Sequence, residues 1–279
     1  MLLLIVPMIA INVVCYFQKE KKYSADIIYV WGDSQISQGL NMSLLSSGLS
    51  KQVLSAAKHG GGVYDFLVSI EHIPKGSTCI IEFPELAFIR IPRLDFNRTG
   101  LEFRSLWSMI QTNTPFQECV RIFILNRSHL FSCNSVFSSD QILYPFAPEL
   151  EYSQPLDWFC KVFNIKTENS DWKTETYEYG ISKLIDKGCR IVFIQFPFEK
   201  QVEQCAKQSV NRILSEGIKN KILEELSIVP DTITLPNDSL QMYDLSHLNE
   251  VGTRHVTSEV AKAMQQDTVY NRFFFVELK

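Results

Sequence analysis

Ser34, Asp244 and His247 are the residues of this chain whose types and order fit nucleophilic chemistry. Ser34 closes the run Ile27-Ile28-Tyr29-Val30-Trp31-Gly32-Asp33-Ser34, and Asp244 and His247 stand close together in Tyr243-Asp244-Leu245-Ser246-His247. A serine hydroxyl is a poor nucleophile at neutral pH until a histidine takes its proton during attack. The histidine in turn needs a carboxylate to fix its tautomer and stabilise its charged form. One residue of each type is in place. Each also has a purely structural reading. A serine after Gly-Asp fits a helix N-cap or a turn; Asp244 fits the cap of a segment beginning at Leu245, with His247 on the surface of its first turn. His59 and His72 are alternative bases, and neither has a carboxylate at comparable spacing.

These residues need elements to hold them. Ile27 to Trp31 is an apolar, buried-strand pattern, and Gly32 is expected to take a positive φ in a sharp turn that leaves Asp33 and Ser34 at the strand's carboxyl end. Ligands of open α/β sheets bind at that edge. Residues 42–50 read as a short helix ending near Gly48, and residues 52–57 as a second strand entering the loop His59-Gly60-Gly61-Gly62. A helix is expected over 63–70 and a third strand over 78–83, followed by Pro84-Glu85. Residues 86–180 have little clean periodicity and read as an insertion forming a substrate-facing lid. Its Trp107, Trp158 and Trp172 either stack on sugar rings or pack in the core. Residues 190–196 resume the sheet as a fourth strand that Pro197 stops, a long polar helix follows from about 201 to 226, and an amphipathic helix over 252–264 delivers His247 from the loop before it. The alternation predicts an α/β fold: a doubly wound, mostly parallel sheet with helices on both faces, in three layers like flavodoxin.

Gly32-Asp33-Ser34 followed far downstream by Asp244-Leu245-Ser246-His247 resembles the SGNH (GDSL-like) hydrolases, a doubly wound α/β family of esterases, lipases and carbohydrate O-acyl-modifying enzymes. The resemblance implies Ser34 as nucleophile and Asp244 and His247 as acid and base. The extended ending DLSHLNEVGTRHVT resembles the membrane-anchored bacterial branch that works on envelope polysaccharides and teichoic acids. In this family a glycine after the second strand donates its backbone N–H to the oxyanion hole, which implies Gly60, Gly61 or Gly62, together with the N–H of Ser34. A plain tight connection into the next helix is the other reading of that loop. The better-known members carry an asparagine at the third strand end, and membrane-anchored relatives vary there; this chain has Phe83-Pro84-Glu85-Leu86. Neither Glu82 nor Glu85 can donate in its place while ionised, and loss of one oxyanion donor costs about 2.7 to 4 kcal/mol in a typical hydrolase.

The 279 residues, 46% of them hydrophobic, suit a single large α/β domain over 23–279, and no repeat, low-complexity tract or linker divides it. A formal net charge of -4 with no basic stripe argues against a nucleic-acid partner. Residues 1–17 carry no charged side chain and are followed by Lys19, Glu20, Lys21 and Lys22. They read as a membrane anchor or uncleaved signal within residues 1–22, or else as a buried first element of the fold. The lysines after the run favour a cytoplasmic carboxyl side, whereas the resemblance to envelope enzymes implies an extracytoplasmic domain. Seven dispersed cysteines without a C-x-x-C pair imply no metal site, and no cofactor is implied either. Cys79 and Cys189 read as small core hydrophobes, and Cys119 and Cys133 as a possible disulfide outside the cell.

The expected function is a serine esterase or acyl-transfer enzyme acting on an acylated envelope glycan or related ester. The alternative is a catalytically inactive SGNH-like domain that binds glycan or assists a membrane acyltransferase. Phosphate or nucleotide binding at the Gly60 to Gly62 loop is a third reading, weakened because no G-x-x-x-x-G-K-[ST] string is present.

Overall fold

The computed structural model describes residues 10, 13–14, 23–57, 62–83, 103–126, 136–139, 156–164, 171–196, 198, 200–206, 210–227, 231–235, 242–243, 247–266 and 273–278. The first described strand is β1 (Ile28–Trp31), whose side chains alternate between two helical layers. Ile28 and Val30 pack with Ile36, Leu40, Val256 and Val260 on one face. Tyr29 and Trp31 pack with Phe66, Tyr177 and Ile181 on the other. A strand covered on both faces reads as a continuous apolar run, and β1 does.

Along the chain follow α1 (Ser34–Gly39), α2 (Met42–Leu49), β2 (Val53–Ser55), α3 (Val63–His72), β3 (Thr78–Glu82), α4 (Phe103–Gln111), α5 (Phe116–Asn126), α6 (Leu156–Asn164) and α7 (Asp171–Asp186). Then come β4 (Arg190–Gln195), α8 (Lys200–Ala206), α9 (Val210–Glu225), β5 (Asp231–Leu235), α10 (Glu250–Gln266) and β6 (Phe273–Leu278). The strands form one six-stranded sheet in the order β2-β1-β3-β4-β6-β5, with every pairing parallel. β1 lies between β2 and β3, so the winding reverses there, and the carboxyl end of β1 is the switch point at which such sheets bind ligands. The three-layer, doubly wound α/β architecture expected from the sequence is present.

Several local expectations change. Gly32 has no positive φ. Its requirement is close approach, since a Cβ there would overlap Ile36 Cγ2 and the Glu82 side chain. The sheet has two strands more than the four read from the sequence: β5 at one edge, and β6 inserted between it and β4. The polar helix expected over 201–226 is two helices, α8 and α9. Much of the segment read as an insertion lies outside the described residues, but its last part is core. Tyr177 of α7 is fully buried, stacks on Phe66 with ring centroids 4.8 Å apart and donates its hydroxyl to the Glu82 carbonyl at 2.8 Å. Trp172 is core as well, whereas Trp107 is exposed.

The cysteine pairing also differs. Cys160 of α6 is bonded to Cys205 of α8, with Cα atoms 5.6 Å apart, while Cys119 is a buried free thiol beside the Thr114 carbonyl. Cys133 lies outside the described residues. Cys79 and Cys189 are buried and not in a disulfide, packed as the sequence suggested. Of the candidate anchor only Ala10, Val13 and Val14 are described, all helical and exposed. Among the described residues no helix is long and apolar enough to cross a membrane.

The two ends of the chain are joined by α10. Thr253 Oγ1 donates to the Gln38 carbonyl at the end of α1 at 2.8 Å, and Thr257 Oγ1 accepts the N–H of Asn41, the N-cap of α2, at 2.9 Å. Both threonines are buried. Thr257→Val keeps the shape but strands the Asn41 N–H, so urea denaturation is expected to show a loss of about 1 to 3 kcal/mol.

Candidate active site

The nucleophile turn is built by capping. Asp33, extended at φ -93° and ψ -150°, is the N-cap of α1, and its carboxylate accepts the Gln35 N–H at 2.8 Å. The cap is therefore Asp33, and Ser34 is left as the first helical residue with its hydroxyl free for another partner. That partner is His247: Ser34 Oγ lies 3.0 Å from His247 Nε2. With its proton on Nδ1, the ring accepts the serine O–H through Nε2. Ser34 is buried, and no hydrogen bond engages its backbone N–H among the described residues. That N–H remains available to an oxyanion.

His247 is held from both sides in sequence. Its carbonyl accepts the Tyr243 N–H at 2.7 Å, closing the backbone across the Asp244-Leu245-Ser246 segment, and Met242 and Leu248 form an antiparallel bridge. The following helix is capped by Asn249, whose Oδ1 accepts the Gly252 N–H at 3.0 Å. Helix capping on this side is thus the work of Asn249. Asp244 itself lies outside the described residues, as do Gly60 and Gly61. Gly62 is the N-cap of α3 and donates its N–H to Asp65 Oδ2 at 3.1 Å. This glycine serves the start of its helix, and its N–H is committed there instead of facing an acyl oxygen. His72 is buried in the last turn of α3 against Tyr23, at the opposite end of the layer from Gly62, and His59 lies outside the described residues.

One residue of the site was read from the sequence only as unable to replace the family's asparagine. Glu82, at the carboxyl end of β3, is 1% exposed and its Oε2 accepts the Asp33 N–H at 2.6 Å. Its other oxygen, Oε1, is buried without a hydrogen-bond partner. Burial first, and then the neighbouring Asp33 carboxyl, push Glu82 well above the ordinary carboxylate range. The side chain fills the space that a Cβ on Gly32 would need, so Gly32, Asp33 and Glu82 form one packed unit beneath Ser34. The signal was the acid in the apolar strand Thr78-Cys79-Ile80-Ile81-Glu82-Phe83, where an ionised group has no place without a partner.

No protein-family model and no curated protein matches this chain. The family resemblance therefore stands on Gly32-Asp33-Ser34 and Asp244-Leu245-Ser246-His247 themselves.

A raised folded-state value for Glu82 has a definite linkage sign. Between the ordinary value of 4.5 and the raised one, the native protein holds a proton that the unfolded chain has lost. Stability contributed by Glu82 is thus fully present below 4.5 and is lost as pH rises through the folded value, by at most about 1.4 kcal/mol per pH unit. Glu82→Gln keeps an oxygen for the Asp33 N–H and removes the titration. Denaturant melts from pH 5 upward should show the wild type losing stability relative to this variant. A constant difference would mean that Glu82 is ionised throughout.

Proposed function

We propose that this chain is a serine esterase or acyl-transfer enzyme of the SGNH type, acting on an acylated envelope glycan or a related ester. The observation that carries the reading is the 3.0 Å contact between Ser34 Oγ and His247 Nε2. Ser34 attacks the acyl carbonyl as His247 takes its proton, and the imidazolium then protonates the departing alkoxide. Water or an acceptor hydroxyl, deprotonated by the same ring, releases the acyl group from Ser34. Asp244 is the carboxylate this scheme requires at Nδ1. The Ser34 N–H is one oxyanion donor, and Gly60 and Gly61 are the candidates for a second.

The chemistry runs as a unit, which gives a test with a characteristic form. With p-nitrophenyl acetate as substrate and the full chain in detergent, Ser34→Ala and His247→Ala are each expected to lower kcat by about 10³-fold or more. The double variant should be no worse than either single one. Wild-type rates in Ser34→Ala would exclude the mechanism.

A second reading, an inactive SGNH-like domain that binds glycan or assists a membrane acyltransferase, is favoured by two observations. Phe83-Pro84-Glu85 stands where the family has its asparagine, and Gly62 gives its N–H to Asp65. No turnover of any ester by a folded wild-type protein, with glycan binding retained, would promote it.

The domain is proposed to lie on the extracytoplasmic face of a membrane, held by residues 1–17. The Cys160–Cys205 disulfide supports this side, because such bonds persist in oxidising compartments. Protease added to intact spheroplasts should degrade the domain. Complete protection while a periplasmic control is cut would place it on the other face.

A further inference from the structure

Helices α4 and α5 expose an apolar surface that the proposed chemistry does not use. On α5, Phe116, Val120 and Ile124 recur every four residues and share one side of the helix. On α4, Trp107 and Ile110 are three apart and also exposed. Phe116 is 79% and Trp107 61% accessible, values that ordinary core packing does not leave. The opposite sides of the same helices already meet the domain through Met109, Cys119 and Ile122. The exposed side is therefore a second apolar face, and surfaces of this kind mark contact with a partner or a membrane.

The position of this face names the occupant. Tyr23, the first described residue after the apolar segment 1–17 and its lysines, packs on His72 in the last turn of α3, with ring centroids 6.2 Å apart. Helix α4 meets the same turn at Ser108, since Lys183 Nζ donates to Glu71 Oε1 at 2.6 Å and to Ser108 Oγ at 3.3 Å, and from there the chain runs along α7, where Thr112 Oγ1 lies 2.9 Å from Thr176 Oγ1. Residues 18–22 can span at most about 20 Å when fully extended, so a membrane entered by residues 1–17 must lie close to this end of the domain. Aromatic and aliphatic side chains on a surface helix bury themselves at the boundary between headgroups and acyl chains.

We propose that the α4–α5 hairpin is a second membrane contact, in which Trp107, Ile110, Phe116, Val120 and Ile124 enter the interface of the bilayer that residues 1–17 anchor in. The inference rests on the anchor reading of residues 1–17.

The test uses the full chain reconstituted in vesicles of phosphatidylethanolamine and phosphatidylglycerol in equal parts, with and without brominated acyl chains. Flotation first establishes that the chain is bound. Bromolipid is then expected to quench tryptophan emission, with most of the quenching lost in Trp107→Phe and kept in Trp158→Phe. Phe116→Glu, which retains Trp107, should also lose it as the hairpin lifts. A chain that floats but shows the same quenching in Trp107→Phe as in wild type overturns the hairpin contact while leaving the anchor intact. A chain that does not float overturns the anchor and the contact together. A floating, unquenched chain that cross-links to a second copy through Val120→Cys makes the surface a subunit interface and overturns the membrane assignment.

Discussion

Two threonine hydroxyls on α10 tie the helix that follows His247 to the two helices that follow β1. Thr253 binds the end of α1 and Thr257 the start of α2, across sequence separations of 215 and 216 residues, the first bond buried and the second partly so, on the helix that carries Val256 and Val260 against Ile36 and Leu40. Closing so long a loop costs chain entropy, which the apolar contacts of the same helices offset. With α10 seated, His247, three residues before it, lies over the first residue of α1. Proton transfer needs direct contact or a single bridging water. The remote packing of α10 is therefore part of the proposed chemistry, since a displacement of about 1 Å at such a contact can cost on the order of a hundredfold in rate.

Beneath the nucleophile lies a second constraint. Asp33 caps α1 with its side chain and gives its own N–H to Glu82, which fills the space left by the absent Cβ of Gly32. Three adjacent demands meet there: a strand must end, a short helix must begin, and an acid from the neighbouring strand must be accommodated. Glycine is needed for room, not for an unusual dihedral. Burial, and then the Asp33 carboxyl beside it, push Glu82 above the ordinary carboxylate range, which lowers the cost of burying it beneath the turn that presents Ser34.

The parallel sheet sets the orientation of everything else. Each strand runs from the end where Tyr23 meets α3 toward the end where Ser34 and His247 meet. Tyr23 and the Ser34–His247 contact are thereby separated along one axis. The disulfide between α6 and α8 and the exposed faces of α4 and α5 lie in helices added outside the sheet, where they leave the Ser34 turn undisturbed.

The sequence alone determined the strands β1 to β4, because fully buried strands are short apolar runs bounded by turn residues, and that pattern is local. It also singled out Ser34 and His247, because few residue types can serve as nucleophile and base, and it marked α10 by its amphipathic period. It did not reveal β5 and β6, since Asp231-Thr232-Ile233-Thr234-Leu235 is half polar and Phe273-Phe274-Phe275-Val276-Glu277-Leu278 closes a sheet whose order no local pattern encodes. It left the pairing of Cys160 with Cys205 undetermined, as spacing always does. The 3.0 Å approach of Ser34 to His247, the commitment of Gly62 to Asp65, and the burial of Glu82 against Asp33 were decided by tertiary structure alone. Each depends on where a distant element comes to rest, and that is fixed by packing and hydrogen bonds between residues far apart in the chain.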